Sequence, residues 1–97
     1  MSAYTAEFFG TLLLILLGNG VVASVVLPQT KATGAGWFTI VAGWGLAVML
    51  AIYAVGNISG AHLNPAVTLA LAMSGAFAWS EVLPYCAAQF AGAFCGA

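Results

Sequence analysis

Few residues in this chain could do chemistry, and those that could lie close together. Asn64 precedes Pro65 and Ala66, with His62 just upstream, in a stretch reading SGAHLNPAVT from Ser59 to Thr68. The residues of the chain form no nucleophile–base pair, no metal cluster and no phosphate-binding loop, so an enzyme is not expected. His62 is the only histidine and has no cysteine near it in sequence, so neither a metal nor a cofactor is expected. What Asn-Pro-Ala can do is start a helix, because Asn64 is a good N-cap and Pro65 a favoured first helical residue. The start of that helix carries unsatisfied N–H groups and the positive end of the helix dipole. Asn64 adds a side-chain amide with two N–H donors. Gly60, Ala61, His62 and Leu63 before it are expected to be extended, with carbonyls free to accept. Acceptors followed by donors, with no fixed negative charge, suit water or a polyol and oppose a cation or hydronium.

The elements that must position these groups are set by composition. Of 97 residues, 64% are hydrophobic and 3% charged, against about 25% charged in soluble domains. An integral membrane protein is expected, with the lipid bilayer as its surroundings. A net charge of −1 and the absence of a basic patch exclude nucleic-acid binding. Cys86 and Cys95 fall in one predicted helix and, at about 100° per residue, point to opposite faces, so they do not bond within it. The apolar run from Phe8 follows no Lys or Arg and is too long for a signal peptide.

Two full spans are predicted, over residues 6–27 and 37–55, separated by a polar loop after Pro28 that holds Lys31. Turn formers at Gly56, Asn57, Ser59 and Gly60 predict a break over 56–63. A short helix is predicted from about Pro65 to Met73; taken on to about Gly75 it is roughly 16 Å long at 1.5 Å per residue, or half a bilayer core. A segment that enters the membrane, reaches the midplane and turns has this length. Irregular backbone at that depth survives only inside protein or along a water-filled cavity. The alternative is that Asn-Pro merely opens a helix after a turn. A third span begins near Glu81, with Pro84 in its first turn, and reaches residue 97. Its 17 or so residues are at the lower limit for crossing, so the chain is expected to be the N-terminal part of a longer protein. Lys31 alone places the first loop in the cytoplasm, a weak signal.

SGAHLNPAVT resembles the first Asn-Pro-Ala box of the aquaporin and glycerol-facilitator (major intrinsic protein) family. Three further segments agree in order: AEFFGT from Ala6, GWGLAVMLAIY from Gly43 and AAQFAGAFCGA from Ala87. The resemblance implies an all-α membrane protein, the first inverted repeat of a six-helix bundle: two full spans, one re-entrant half-helix and part of a third span, making an N-terminal half that is incomplete without the second repeat. It implies a homotetramer of the full-length protein in the plasma membrane and a cytoplasmic N-terminus, which puts Lys31 outside, against the charge signal. It implies a pore lined by Trp44 and by Gly60, Ala61, His62, Leu63 and Asn64, with Glu7 and Gln89 bracing the loop. Trp at position 44 is the type carried by glycerol facilitators at the narrow filter; an indole gives glycerol's carbon chain an apolar wall. For each residue a plainer role stands beside this one. Trp44 could sit in an interfacial belt, as Trp37 and Trp79 are expected to. Glu7 could snorkel, His62 could simply pack, and Gln89 could join two helices. Asn19, in the first span, has no role assigned by the sequence. Gly92 and Gly96, and Ala6 and Gly10, have the four-residue spacing of close helix crossings.

The function expected is passive passage of glycerol, other small neutral solutes and water, with ions and protons excluded. The alternatives are a water-selective pore, an ion-coupled transporter with broken helices, and a closed structural protein. The transporter reading is weakened because the only acids, Glu7 and Glu81, lie near span ends.

Overall fold

The computed structural model describes all 97 residues, as four α-helices and no strand. Helix α1 spans Ala3–Val26, α2 Trp37–Ser59, α3 Pro65–Met73 and α4 Val82–Gly96, with a single 3₁₀ turn, Trp79–Glu81, leading into α4. The long axis of the molecule is 47 Å, and α1 and α2 are each long and apolar enough to cross a membrane.

Helix α1 starts earlier than its apolar run because Ser2 caps it: the Ser2 hydroxyl accepts the Thr5 N–H at 3.1 Å. It stops just before Pro28. The following loop closes over its end, with the Gly34 N–H donating to the Val25 carbonyl at 3.0 Å and the Thr33 hydroxyl to the Leu27 carbonyl at 2.7 Å.

Helix α2 corrects one expectation. It runs to Ser59, four residues beyond the predicted end at Val55. Gly56 and Asn57 are therefore helical, not a turn. The stop comes at Gly60, whose φ of 86° is the left-handed cap that glycine adopts without a Cβ clash. Helix α3 has 9 residues and ends at Met73, about 13.5 Å at 1.5 Å per residue. Ser74 closes it, and Gly75 follows at φ 83°.

Helix α1 is central, packed along α2 on one side and α4 on the other, while α3 rests on α4. Small residues set both contacts. A Cβ at Gly92 would lie 2.2 Å from the Phe8 carbonyl oxygen, and one at Gly96 2.5 Å from that of Leu12, so α4 meets the α1 backbone itself. On the opposite side of α1, the Trp44 ring lies over Gly18, where a Cβ would approach it to 2.2 Å. The apolar core is small, with Ala6, Ala51, Val55 and Leu63 at its centre. Phe38, Leu83 and Phe94, by contrast, are at least 80% exposed, and such outer surfaces suit lipid or further protein rather than water.

Candidate functional site

The site is built around one carboxylate. Glu7, in the second turn of α1, is 0% exposed. A buried carboxylate costs several kcal/mol of lost hydration, on the order given for ions in protein interiors, unless donors surround it. Four do. The Ser59 hydroxyl donates to Oε2 at 2.5 Å and the His62 N–H to the same oxygen at 3.1 Å. The Leu63 N–H donates to Oε1 at 2.9 Å and the Gln89 Nε2 to Oε1 at 2.7 Å. Glu7 thus joins the end of α2, the segment before α3, and α4. It does not reach up to an interface.

The segment between α2 and α3 departs from the extended form expected for Gly60 to Leu63. Gly60, Ala61 and Leu63 have φ of 86°, 52° and 57°. The carboxylate supplies the physical reason. Successive N–H groups of an extended chain point to opposite sides, so His62 and Leu63 could not both reach Glu7. Left-handed residues on either side of His62 turn the two N–H groups the same way, forming a concave nest for an anion. Left-handed conformations at Ala61 and Leu63 cost about 1–2 kcal/mol each, offset by the charge-assisted hydrogen bonds.

The result is a backbone with two unlike sides. The N–H groups of Gly60, Ala61, His62 and Leu63 all have partners: the Gly56 carbonyl, the Ser59 hydroxyl and the two Glu7 oxygens. The carbonyls of the same four residues accept no hydrogen bond within the chain. Asn64 comes next. Its Oδ1 accepts the Ala66 N–H at 2.8 Å, capping α3, with Pro65 as the first helical residue. That cap consumes the amide oxygen and leaves the Nδ2 donors free.

Ala61, His62, Leu63 and Asn64 line a groove of about 310 Å³ whose other walls include Val48 and Ile52 of α2. Gly60 is not part of that lining, and neither is Trp44. Trp44 stands four residues before Val48, on the same stripe of α2, and borders an adjoining cavity of about 350 Å³ with Leu63, Asn64, Pro65 and Gln89. Trp37 and Trp79 are exposed at helix starts. Asn19 is exposed and makes no side-chain hydrogen bond.

His62 packs between aromatic rings, with centroids 4.7 Å from Phe77 and 4.9 Å from Tyr85. Its Nδ1 lies 2.9 Å from the Thr68 hydroxyl. Gln89, 1% exposed, donates to Thr68 at 3.0 Å as well as to Glu7. Three contributors escape a reading of the sequence: Ser59, Thr68 and Tyr85, whose hydroxyl donates to the Ser59 carbonyl at 2.9 Å. Ser59 and Thr68 bound the SGAHLNPAVT stretch, and Tyr85 lies one turn from Gln89. No spacing signal ties them to Glu7, because the partners come from distant parts of the chain.

The sequence profile of the major intrinsic protein family matches residues 1–97. The chain belongs to that family. Its members are membrane proteins, and the two long apolar helices fit that setting. Among curated family members, it is 59% identical over 97 residues to the probable glycerol uptake facilitator protein of Thermotoga maritima, covering 100% of this chain and 42% of that protein. It is 57% identical over 96 residues to the glycerol uptake facilitator protein of Streptococcus pneumoniae, covering 99% and 41%. With the glycerol facilitator-aquaporin of Lactococcus lactis it shares 52% identity over 93 residues, covering 96% and 32%. The chain therefore spans roughly two-fifths of the length of the first two family members.

Proposed function

We propose that this chain forms part of a passive transmembrane channel for glycerol and other small neutral solutes, which also passes water and excludes ions and protons. It is a conduit and not an enzyme. The observation that carries the reading is the two-sided segment before α3. Every N–H from Gly60 to Leu63 is held inside the protein, every carbonyl is left over, and the free amide donors of Asn64 follow. A hydroxylated solute or water, which both donates and accepts, can exchange hydration for such a row. A bare cation would meet the positive start of α3 after the carbonyls and would pay for dehydration.

Asn64, Pro65 and Ala66 mark the midplane turn in this reading. Ala61, His62, Leu63 and Asn64 line the pathway, Gly60 sets its start, and Trp44 continues the same stripe of α2 as an apolar wall. Glu7 and Gln89 brace the loop. The glycerol uptake facilitators that the chain resembles support glycerol as the solute. The full-length protein is read as a homotetramer in the plasma membrane with a cytoplasmic N-terminus.

The test is transport by the full-length protein in liposomes, followed by stopped-flow light scattering in a glycerol gradient. Glycerol entry speeds up relative to empty vesicles and does not saturate at low concentration, with no proton or ion current. Entry equal to that of empty vesicles would overturn the reading.

A further inference from the structure

The hydrogen bonds behind the groove run in a fixed direction, and that direction reaches the ring of His62. Glu7 offers only acceptors, so the Gln89 amide must present Nε2 to it; the reversed amide would set oxygen against oxygen. The two Nε2 protons then go to Glu7 and to the Thr68 hydroxyl, and Thr68 is an acceptor for Gln89. Thr68 has one proton left to give. Two hydroxyls in the chain give theirs to the carbonyl one turn back, Ser24 to Gly20 and Thr39 to Ala35. The Thr68 hydroxyl makes no such bond, and its remaining neighbour is His62 Nδ1 at 2.9 Å. Thr68 is 0% exposed, so no bulk water competes for the proton. A proton given to Nδ1 makes that nitrogen an acceptor and leaves the ring hydrogen on Nε2. His62 Nε2 has no hydrogen-bond partner within the chain and is not wholly buried, and His62 is one of the residues that line the groove.

We propose that Thr68 is a positioning residue that fixes His62 as the Nε2–H tautomer, so that the ring offers an N–H donor to solute beside the free carbonyls of the same segment. The backbone at this point supplies acceptors only, and the fixed ring gives a polyol hydroxyl both kinds of partner at one level. The part played toward solute rests on the channel reading above; the tautomer does not.

The experiment is solid-state NMR of the full-length protein in bilayers at about pH 8, labelled with 15N-histidine, with His62 assigned by difference against His62→Asn. The expected spectrum shows Nδ1 unprotonated and Nε2 protonated. In Thr68→Val, which keeps the side-chain shape, a second population with Nδ1 protonated emerges; Thr68→Ser restores the single tautomer. A native chain with Nδ1 protonated, or a Thr68→Val spectrum equal to the native one, overturns the proposal, and the native spectrum decides even where the variant does not fold. In liposomes, Thr68→Val lowers the glycerol-to-water flux ratio between about twofold and tenfold, the worth of one hydrogen bond, and Thr68→Ser recovers it. An unchanged ratio overturns the role toward solute. Absence of glycerol flux in the native protein would instead sink the channel reading and leave the NMR result standing.

Discussion

Glu7 Oε1 and Gln89 Nε2 lie 2.7 Å apart, joining α1 to α4 across 82 positions of sequence. Both side chains are almost wholly buried, and the same oxygen also accepts the Leu63 N–H. One bond therefore ties the two helices on either side of the loop to the loop itself. Glu7→Gln replaces one acceptor with a donor and leaves at least one buried donor unpaired, costing about 1–3 kcal/mol. The measurement is thermal unfolding of the full-length protein in detergent micelles. A midpoint equal to the native one would show that the carboxylate is not needed to hold the loop.

The left-handed residues make a second prediction. Ala61 has φ 52° and is held there by the turning of its neighbours toward Glu7. Ala61→Gly removes a conformational penalty of about 1–2 kcal/mol and adds roughly 0.5–1 kcal/mol of chain entropy cost, for a small net gain in stability. Ala61→Val, branched at Cβ, should destabilise. A valine variant as stable as the glycine one would contradict the backbone geometry.

The α1–α4 crossing predicts a contrast between glycines. At Gly92 a Cβ meets the Phe8 carbonyl oxygen at 2.2 Å, a backbone atom that cannot swing away. Gly92→Ala should cost about 1–3 kcal/mol, as overpacking does. At Gly56 the nearest atom is a side-chain carbon of Ile52 at 3.7 Å, an ordinary contact. Gly56→Ala should stabilise by roughly 0.5–1 kcal/mol, because the position is helical. Chemical denaturation of both variants checks this, and a loss at Gly56 would mean that α2 ends earlier.

Trp44 depends on Gly18. A side chain at Gly18 would enter the indole, since even a Cβ falls 2.2 Å from it. Gly18→Val should push the ring off α1 and toward the cavity it borders with Asn64. In liposomes the glycerol-to-water flux ratio should change in Gly18→Val, and Trp44→Phe should lower glycerol relative to water. A ratio insensitive to both variants would remove Trp44 from the pathway.

Tyr85 predicts a small effect that separates a hydroxyl from a ring. Tyr85→Phe keeps the contact with His62 and Phe77 but leaves the Ser59 carbonyl without its donor. The expected loss is about 0.5–1.5 kcal/mol, one neutral hydrogen bond. Tyr85→Ala should cost several-fold more through lost packing. Equal losses in the two variants, read by thermal unfolding, would assign the whole contribution to the hydroxyl.

The membrane setting, the four helices and the start of α3 were legible in the residues alone. Those follow from local chemistry: apolar runs long enough to span, a proline after α1, and Asn64 with Pro65 as cap and first residue. The sequence also pointed to Glu7 and Gln89 near the loop through resemblance to a family. What it could not supply was the direction of the backbone between Gly60 and Leu63. The turn-forming residues read as a break at Gly56, whereas the helix continues to Ser59 and places its hydroxyl on Glu7. The expected extended segment became a left-handed nest because one carboxylate from α1 collects two consecutive N–H groups. Local propensity disfavours alanine and leucine in that conformation, and only a tertiary partner offsets the cost. The free carbonyls, the paired N–H groups and the Thr68–His62 contact all depend on where α1 and α4 meet the loop, which only the folded arrangement decides.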